Sequence, residues 1–270
     1  MKRQFLTTIL LGVVVLAGCN KQNALPNTPT LTASSNPAVI NASGQPVPDL
    51  SSIPNYGGLL STIQYDYSTP AYQGIPSYTV TFKLAFAQFG NGVDVGTVKV
   101  VSDTLPKHTD GSKIYYMNNF TLGGTGLTSI EFSNGSVHNW TISGGGGFPA
   151  ITSGLFTLTP VTFAISSPGS GENIVKANGL NINWTNAYSN GLDSILIVIV
   201  GKGGSFMKSS ILSGSSSSQG SYAITGSDLG AMTGTCILQV VKYRYNVVII
   251  SSKVYIVLAE VVKQETINLQ

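Results

Sequence analysis

Charge is what this sequence has least of. Lysine, arginine, aspartate and glutamate make up 9% of its 270 residues, against about 25% in ordinary soluble domains. Fourteen basic and eleven acidic residues leave no basic footprint for a phosphate backbone, which excludes nucleic acid as a partner. Histidine is nearly absent too. His108 and His138 stand far apart, whereas a zinc site takes three or four His, Cys or acidic ligands. Gly-x-Ser-x-Gly is missing, and Gly226-Ser227-Asp228-Leu229-Gly230 carries aspartate where the nucleophile belongs. Gly144–Gly147 runs into Phe148-Pro149 rather than the Lys-Ser/Thr of a phosphate-binding loop. The scattered acids show no spacing that recommends a pair for glycoside hydrolysis. The expectation is a protein that is not an enzyme and holds no cofactor or metal. Disorder is excluded as well, since apolar residues reach 42% and disordered chains combine low hydrophobicity with high charge.

What is present begins with an address. Met1-Lys2-Arg3 precedes an apolar run from Phe5 to Leu16 and then Ala17-Gly18-Cys19. A basic start, a short apolar stretch and small residues form a secretory signal peptide, and the run falls short of the ~20 residues of a spanning helix. Leu16-Ala17-Gly18-Cys19 resembles the lipobox of bacterial lipoproteins. That resemblance implies cleavage after Gly18, acylation of Cys19, and a bacterial cell-envelope protein attached to the membrane through its N-terminal lipid. Asn20, in place of the aspartate that retains such proteins at the inner membrane, points to the outer membrane. Removal of residues 1–18 takes Lys2 and Arg3 and no acid, so the mature chain is close to neutral. With Cys19 lipidated, Cys236 has no cysteine to pair with, and the fold must be held by its cores.

Residues 19–58 read as the lipidated terminus and a flexible tether, with Pro26, Pro29, Pro37, Pro46, Pro48 and Pro54 among small polar residues. A short strand near Ala38-Val39-Ile40 is the alternative for part of it. From Ser77 onward the pattern is period-two. Tyr78, Val80, Phe82, Leu84 and Phe86 alternate with smaller or polar residues, as in a half-buried strand. Further strands are expected at 93–101, 114–122, 127–132, 137–142 and 155–159, separated by turn signals such as Asn91-Gly92 and Asn134-Gly135. A bulge near Gly96 reconciles the parity of Val93 and Val95 with that of Val98 and Val100.

After Pro160, strands are expected at 161–165, 180–185, 195–200, 222–225, 236–245 and 254–262. The run Ile195–Val200 is apolar throughout, as in a strand covered on both faces. Ser209–Ser221 reads as a serine-rich loop, and Ser227–Met232 as one capped helical turn. Ser167-Pro168-x-x-Gly171, Asn181-x-Asn183-Trp184-Thr185 and Ser227-Asp228-Leu229 make this region, roughly 160–265, resemble fibronectin type III and immunoglobulin-like modules. Thr235 occupies the place of the tyrosine-corner residue.

The resulting fold class is all-β: two tandem antiparallel β-sandwich domains of immunoglobulin/fibronectin III type, 59–159 and 160–270, behind the signal peptide 1–18 and tether 19–58. Ligand contact is assigned to aromatic anchors, Trp140 beside the glycine loop and Tyr243-Arg244-Tyr245. The functional expectation is a non-catalytic binding or scaffolding module whose partners are the membrane and either glycan or envelope proteins. Carbohydrate capture for a glycan-uptake system is one alternative. An enzyme with a site assembled from distant residues is another, and a barrel-like first domain around an apolar ligand is a third.

Overall fold

The computed structural model describes residues 39–40, 46–47, 53–71, 76–118, 130–133, 135–185, 193–211 and 219–270. The signal peptide, Cys19 and most of the tether lie outside these residues, as do the strand expected at 127–132 beyond its last residues and most of the serine-rich loop.

The described chain is all-β. Its frame is a pair of long antiparallel strands near the C-terminus, β17 (Thr233–Ile250) and β18 (Lys253–Leu269). They stay in register from Gly234↔Leu269 to Ile250↔Lys253 without a bulge. The two residues between them, Ser251 and Ser252, both take positive φ, as a tight hairpin turn demands. On the free edge of β18 lies β3 (Tyr56–Thr69), parallel to it and in register from Tyr255↔Gly58 to Gln264↔Tyr67. Parallel to the remainder of β18 runs β12 (Glu172–Ile174). Strand β4 (Tyr78–Phe89) closes a hairpin on β3, and β8 (Lys113–Met117) with β7 (Lys107–Asp110) extends that side. On the other side β17 pairs with β14 (Ser194–Lys202), which pairs with β15 (Gly204–Ile211).

Two smaller sheets pack on one face of this long sheet. The first is four-stranded, in the order β10 (Ile151–Leu158), β9 (Val137–Ile142), β5 (Val98–Val100), β6 (Asp103–Leu105). The second is three-stranded: β11 (Ile165–Ser167), β13 (Leu180–Thr185), β16 (Gln219–Ile224). One inner core serves both. It joins Trp140, Ile142 and Leu155 to Leu60, Phe89 and Tyr255 under the first, and Ile182, Trp184 and Ile224 to Ile197, Leu238 and Ile267 under the second. Two two-residue strands, β1 (Val39–Ile40) and β2 (Pro46–Val47), pair antiparallel upstream.

Several expectations need correction. The sheet does not divide at 159/160, because β3 and β4 from the first stretch share hydrogen bonds with β18 from the second. The tether cannot extend to residue 58, since Ile53 is buried and β3 begins at Tyr56. Local alternation misses β3 because its buried stretch mixes Gly57, Gly58, Ser61 and Thr62 with Leu59 and Leu60 and is covered on both faces. The strand expected at 93–101 shrinks to Val98–Val100: Gly96 takes positive φ, and the Ser143 hydroxyl receives the Thr97 amide. Strand β15 runs to Ile211, into the expected serine-rich loop. Ser227–Met232 is a set of turns rather than a helical one. Its capping residue is Thr225, whose amide and hydroxyl both donate to Asp228 while its own Oγ1 accepts the Asp228 amide.

Candidate functional site

Alternation along a strand sends neighbouring side chains to opposite faces, and this disperses the expected ligand triad. Tyr243 points to the outer face of the long sheet and is buried there. Arg244 points inward, to Asp193. Tyr245 returns to the outer side and is exposed. Trp140 is completely enclosed in the inner core, so neither face of its indole is open to a sugar. Among the described residues, the large aromatic side chains that are exposed, Tyr78, Phe156 and Tyr245, belong to β4, β10 and β17. Cys19 lies outside the described residues.

The histidines do not converge on a metal. His138 is buried, its Nδ1 2.7 Å from Thr62 Oγ1 and its Nε2 3.1 Å from the Glu131 carbonyl. Burial lowers its pKa below the ordinary value. His108 stacks on Tyr115 and meets the Met117 carbonyl with its Nε2. Among the described residues no group of three or more His, Cys, Asp or Glu could hold a metal ion. Asp94 accepts from Lys107, the Gly96 amide and the Tyr116 hydroxyl, which together hold its carboxyl down at about 2. These bonds fasten the loop before β5 to β8, and they leave Asp94 ionised at neutral pH.

Sequence reasoning misses the most concentrated polar chemistry. Inner-face positions of β17 are apolar at Cys236, Leu238 and Val240, then polar at Lys242, Arg244 and Asn246, then apolar again at Val248 and Ile250. That interruption falls between the portions of β17 covered by the two small sheets. Asp193 lies there, wholly buried. Its Oδ1 accepts from Arg244 Nε at 2.7 Å and from the second guanidinium nitrogen, and its Oδ2 is 3.4 Å from Lys242 Nζ. The Val161 amide, on the connection between the two small sheets, donates to the same carboxylate. Desolvation lowers the Lys242 pKa, with Asp193 opposing that shift. Farther across the seam, Asp66 pairs with Lys263 and accepts from Gln64, and Thr62 meets His138. The only sequence signal is a lysine inside the run Val240-Val241-Lys242-Tyr243. The seam's charged groups engage one another and the backbone that joins the two small sheets.

No known protein family matches the chain, and no curated protein does. Among solved structures it is similar to a Ca2+-stabilised, ice-binding adhesin of an Antarctic bacterium, at 10% identity and a TM-score of 0.24. That overlay covers 80% of this chain and 50% of the adhesin chain, so this chain spans about half its length. It is also similar to fibronectin(III)-like modules of Clostridium thermocellum CbhA, at 14% identity and a TM-score of 0.21, covering 81% of this chain and 90% of that one. At these TM-scores neither overlay bears on fold or function.

Proposed function

We propose that this chain is a cell-envelope protein, lipid-anchored through Cys19, that works as a non-catalytic binding or scaffolding module. The observation that carries the reading is mechanical. The β17–β18 ladder is unbroken over its whole length, and at about 3.3 Å per residue it gives one stiff ribbon of roughly 55 Å. Both small sheets are built on that ribbon, and the seam locks the connection between them with buried charge. A module of this kind holds a surface at a set distance from its anchor. The finer description, an immunoglobulin- or fibronectin III-like character for the region that carries the second small sheet, belongs to the same reading. It is supported by β13, whose Trp184 is a core anchor as the motif implies.

Anchoring is tested by feeding radiolabelled palmitate to a Gram-negative host expressing the full chain. Label is expected in the wild-type protein, which fractionates with membranes, and not in Cys19→Ser, which is released in soluble form. Equal label in Cys19→Ser overturns the reading.

A further inference from the structure

The chain enters the long sheet at β3 and leaves it at β18, and these two strands are neighbours. Their pairing is parallel and stays in register from Tyr255↔Gly58 to Gln264↔Tyr67. Tyr56, where β3 begins, lies beside Val254 at the turn end of the β17–β18 hairpin. Leu269, where β18 finishes, lies at the opposite end beside Gly234. At about 3.3 Å per residue, entry and exit stand roughly 50 Å apart along one axis. Everything between Thr69 and Lys253, both small sheets and Asp193 included, is one excursion that departs from β3 and returns to β18.

We propose that the β3–β18 pair is a tension-bearing clamp: force applied along the chain passes directly from β3 to β18 and bypasses the two small sheets. A pull on the two ends slides one strand past the other. The ladder bonds lie across that line of force, so they share the load and must fail together. In strands pulled apart from one end, the same bonds are loaded in turn and fail singly. Survival under force is governed by the unfolding rate rather than by equilibrium stability, so the direction of pull decides how long one set of bonds lasts.

Both ends of the pair are secured against peeling. At the entry, the Val254 amide donates to the Asn55 carbonyl at 2.9 Å, and the Gly90 amide, just past β4, donates to the Gly57 carbonyl at 3.0 Å. The start of β3 is therefore held from both sides. At the exit, β12 takes over the edge of β18 beyond β3, from Glu172↔Ile267 to Ile174↔Leu269. The Gln270 amide donates to the Ile174 carbonyl at 2.9 Å, and the Gln270 carbonyl accepts from the Lys176 amide at 3.0 Å. Side chains tie the two strands as well. Lys263 bonds Asp66 directly opposite it, and the Tyr65 hydroxyl donates to Gln264. Under tension the small sheets and the seam keep their shape, as a tethered module that presents a surface requires. That use rests on the envelope reading above; the clamp rests on the described strands alone.

Single-molecule force spectroscopy on the full chain tests the clamp without involving the lipid. Cell-free synthesis leaves Cys19 as a free thiol for one handle, and Cys236 is buried. The second handle is attached through Gln270→Cys in one sample and through Ser252→Cys, on the exposed hairpin turn, in the other. The first pair of points shears β3 against β18, and the second peels them apart from the end they share. At equal loading rate the 270 sample is expected to rupture at a several-fold higher force. No earlier step should exceed about 120 Å, the most that residues 19–52 supply when extended. Equal forces, a weaker 270 sample, or an earlier and longer step, which means that a small sheet opens first, overturn the proposal. Loss of the palmitate signal alone would overturn the anchoring and leave the clamp standing.

Discussion

Arg244 donates to Asp193 through two guanidinium nitrogens, and both side chains are buried where the two small sheets meet over β17. Lys242 approaches the same carboxylate from the other oxygen, giving two cations around one acid. Removing one partner of a buried pair leaves the other charge uncompensated, which costs about 3–5 kcal/mol. Asp193→Ala is therefore expected to lose about that much in urea unfolding. Lys242→Met should cost far less, because it leaves a balanced Arg–Asp pair and keeps much of the side-chain volume. If the two variants lose similar stability, the carboxylate is not what holds the seam.

Gly220 lies opposite Trp184 in the three-stranded sheet, directly against the indole. A methyl group built there would overlap the ring at Cε2 and Nε1. The Trp184 indole fills the core and cannot withdraw, so Gly220→Ala should cost about 1–3 kcal/mol by overpacking. Gly230→Ala serves as the contrast. Gly230 has positive φ but nothing near its missing side chain, and only the strain of the left-handed conformation applies, roughly 1 kcal/mol. Chemical denaturation of both variants measures the difference.

Cys236 is buried against Gly201 in the β14–β17 pair, and burial raises its thiol pKa. A thiol kept protonated and out of solvent is a poor nucleophile. In the Cys19→Ser protein, a colorimetric thiol reagent should find no reactive group under native conditions and one after denaturation. Stoichiometric labelling of the native protein would contradict the packing described for β17.

Residues whose neighbours in sequence are also their neighbours in space were legible before the structure. Strands β9 and β13 fall where alternation puts them, because one face of each is core and the other is not. Strand β3 was not legible: its pairing with β18 is parallel and spans most of the chain, and its glycine and hydroxyl residues hide the alternation. The same distance hides the seam. Asp193 and Lys242 meet only because β14 and β17 are hydrogen-bonded, and alternation within Tyr243-Arg244-Tyr245 scatters what looked like one cluster. The buried status of Trp140 follows from its side of β9 facing the inner core beneath the long sheet, which composition does not reveal.

Two buried groups give opposite pH dependences in the same range. His138 has its folded pKa lowered from 6.5 by burial. The folded state binds that proton less readily than the unfolded chain, so stability is lost as pH falls below about 6.5. Glu260 has its folded pKa raised well above 4.5 by burial, with Ser61 opposing. Its folded state holds the proton more tightly, so stability is fully present below about 4.5 and is lost as pH rises from there. Glu265 is shifted in the same direction, by burial first, and adds to that trend. Asp94, held at about 2, does not titrate in this window. Between pH 4.5 and 6.5 the slopes oppose each other. Glu260→Gln removes one of the opposing groups, so on acidification across that window its urea midpoint should fall relative to that of the wild type. His138→Gln should do the reverse and gain stability toward pH 4.5. A Glu260→Gln profile parallel to the wild type would mean that this carboxyl is not held neutral beneath the outer face.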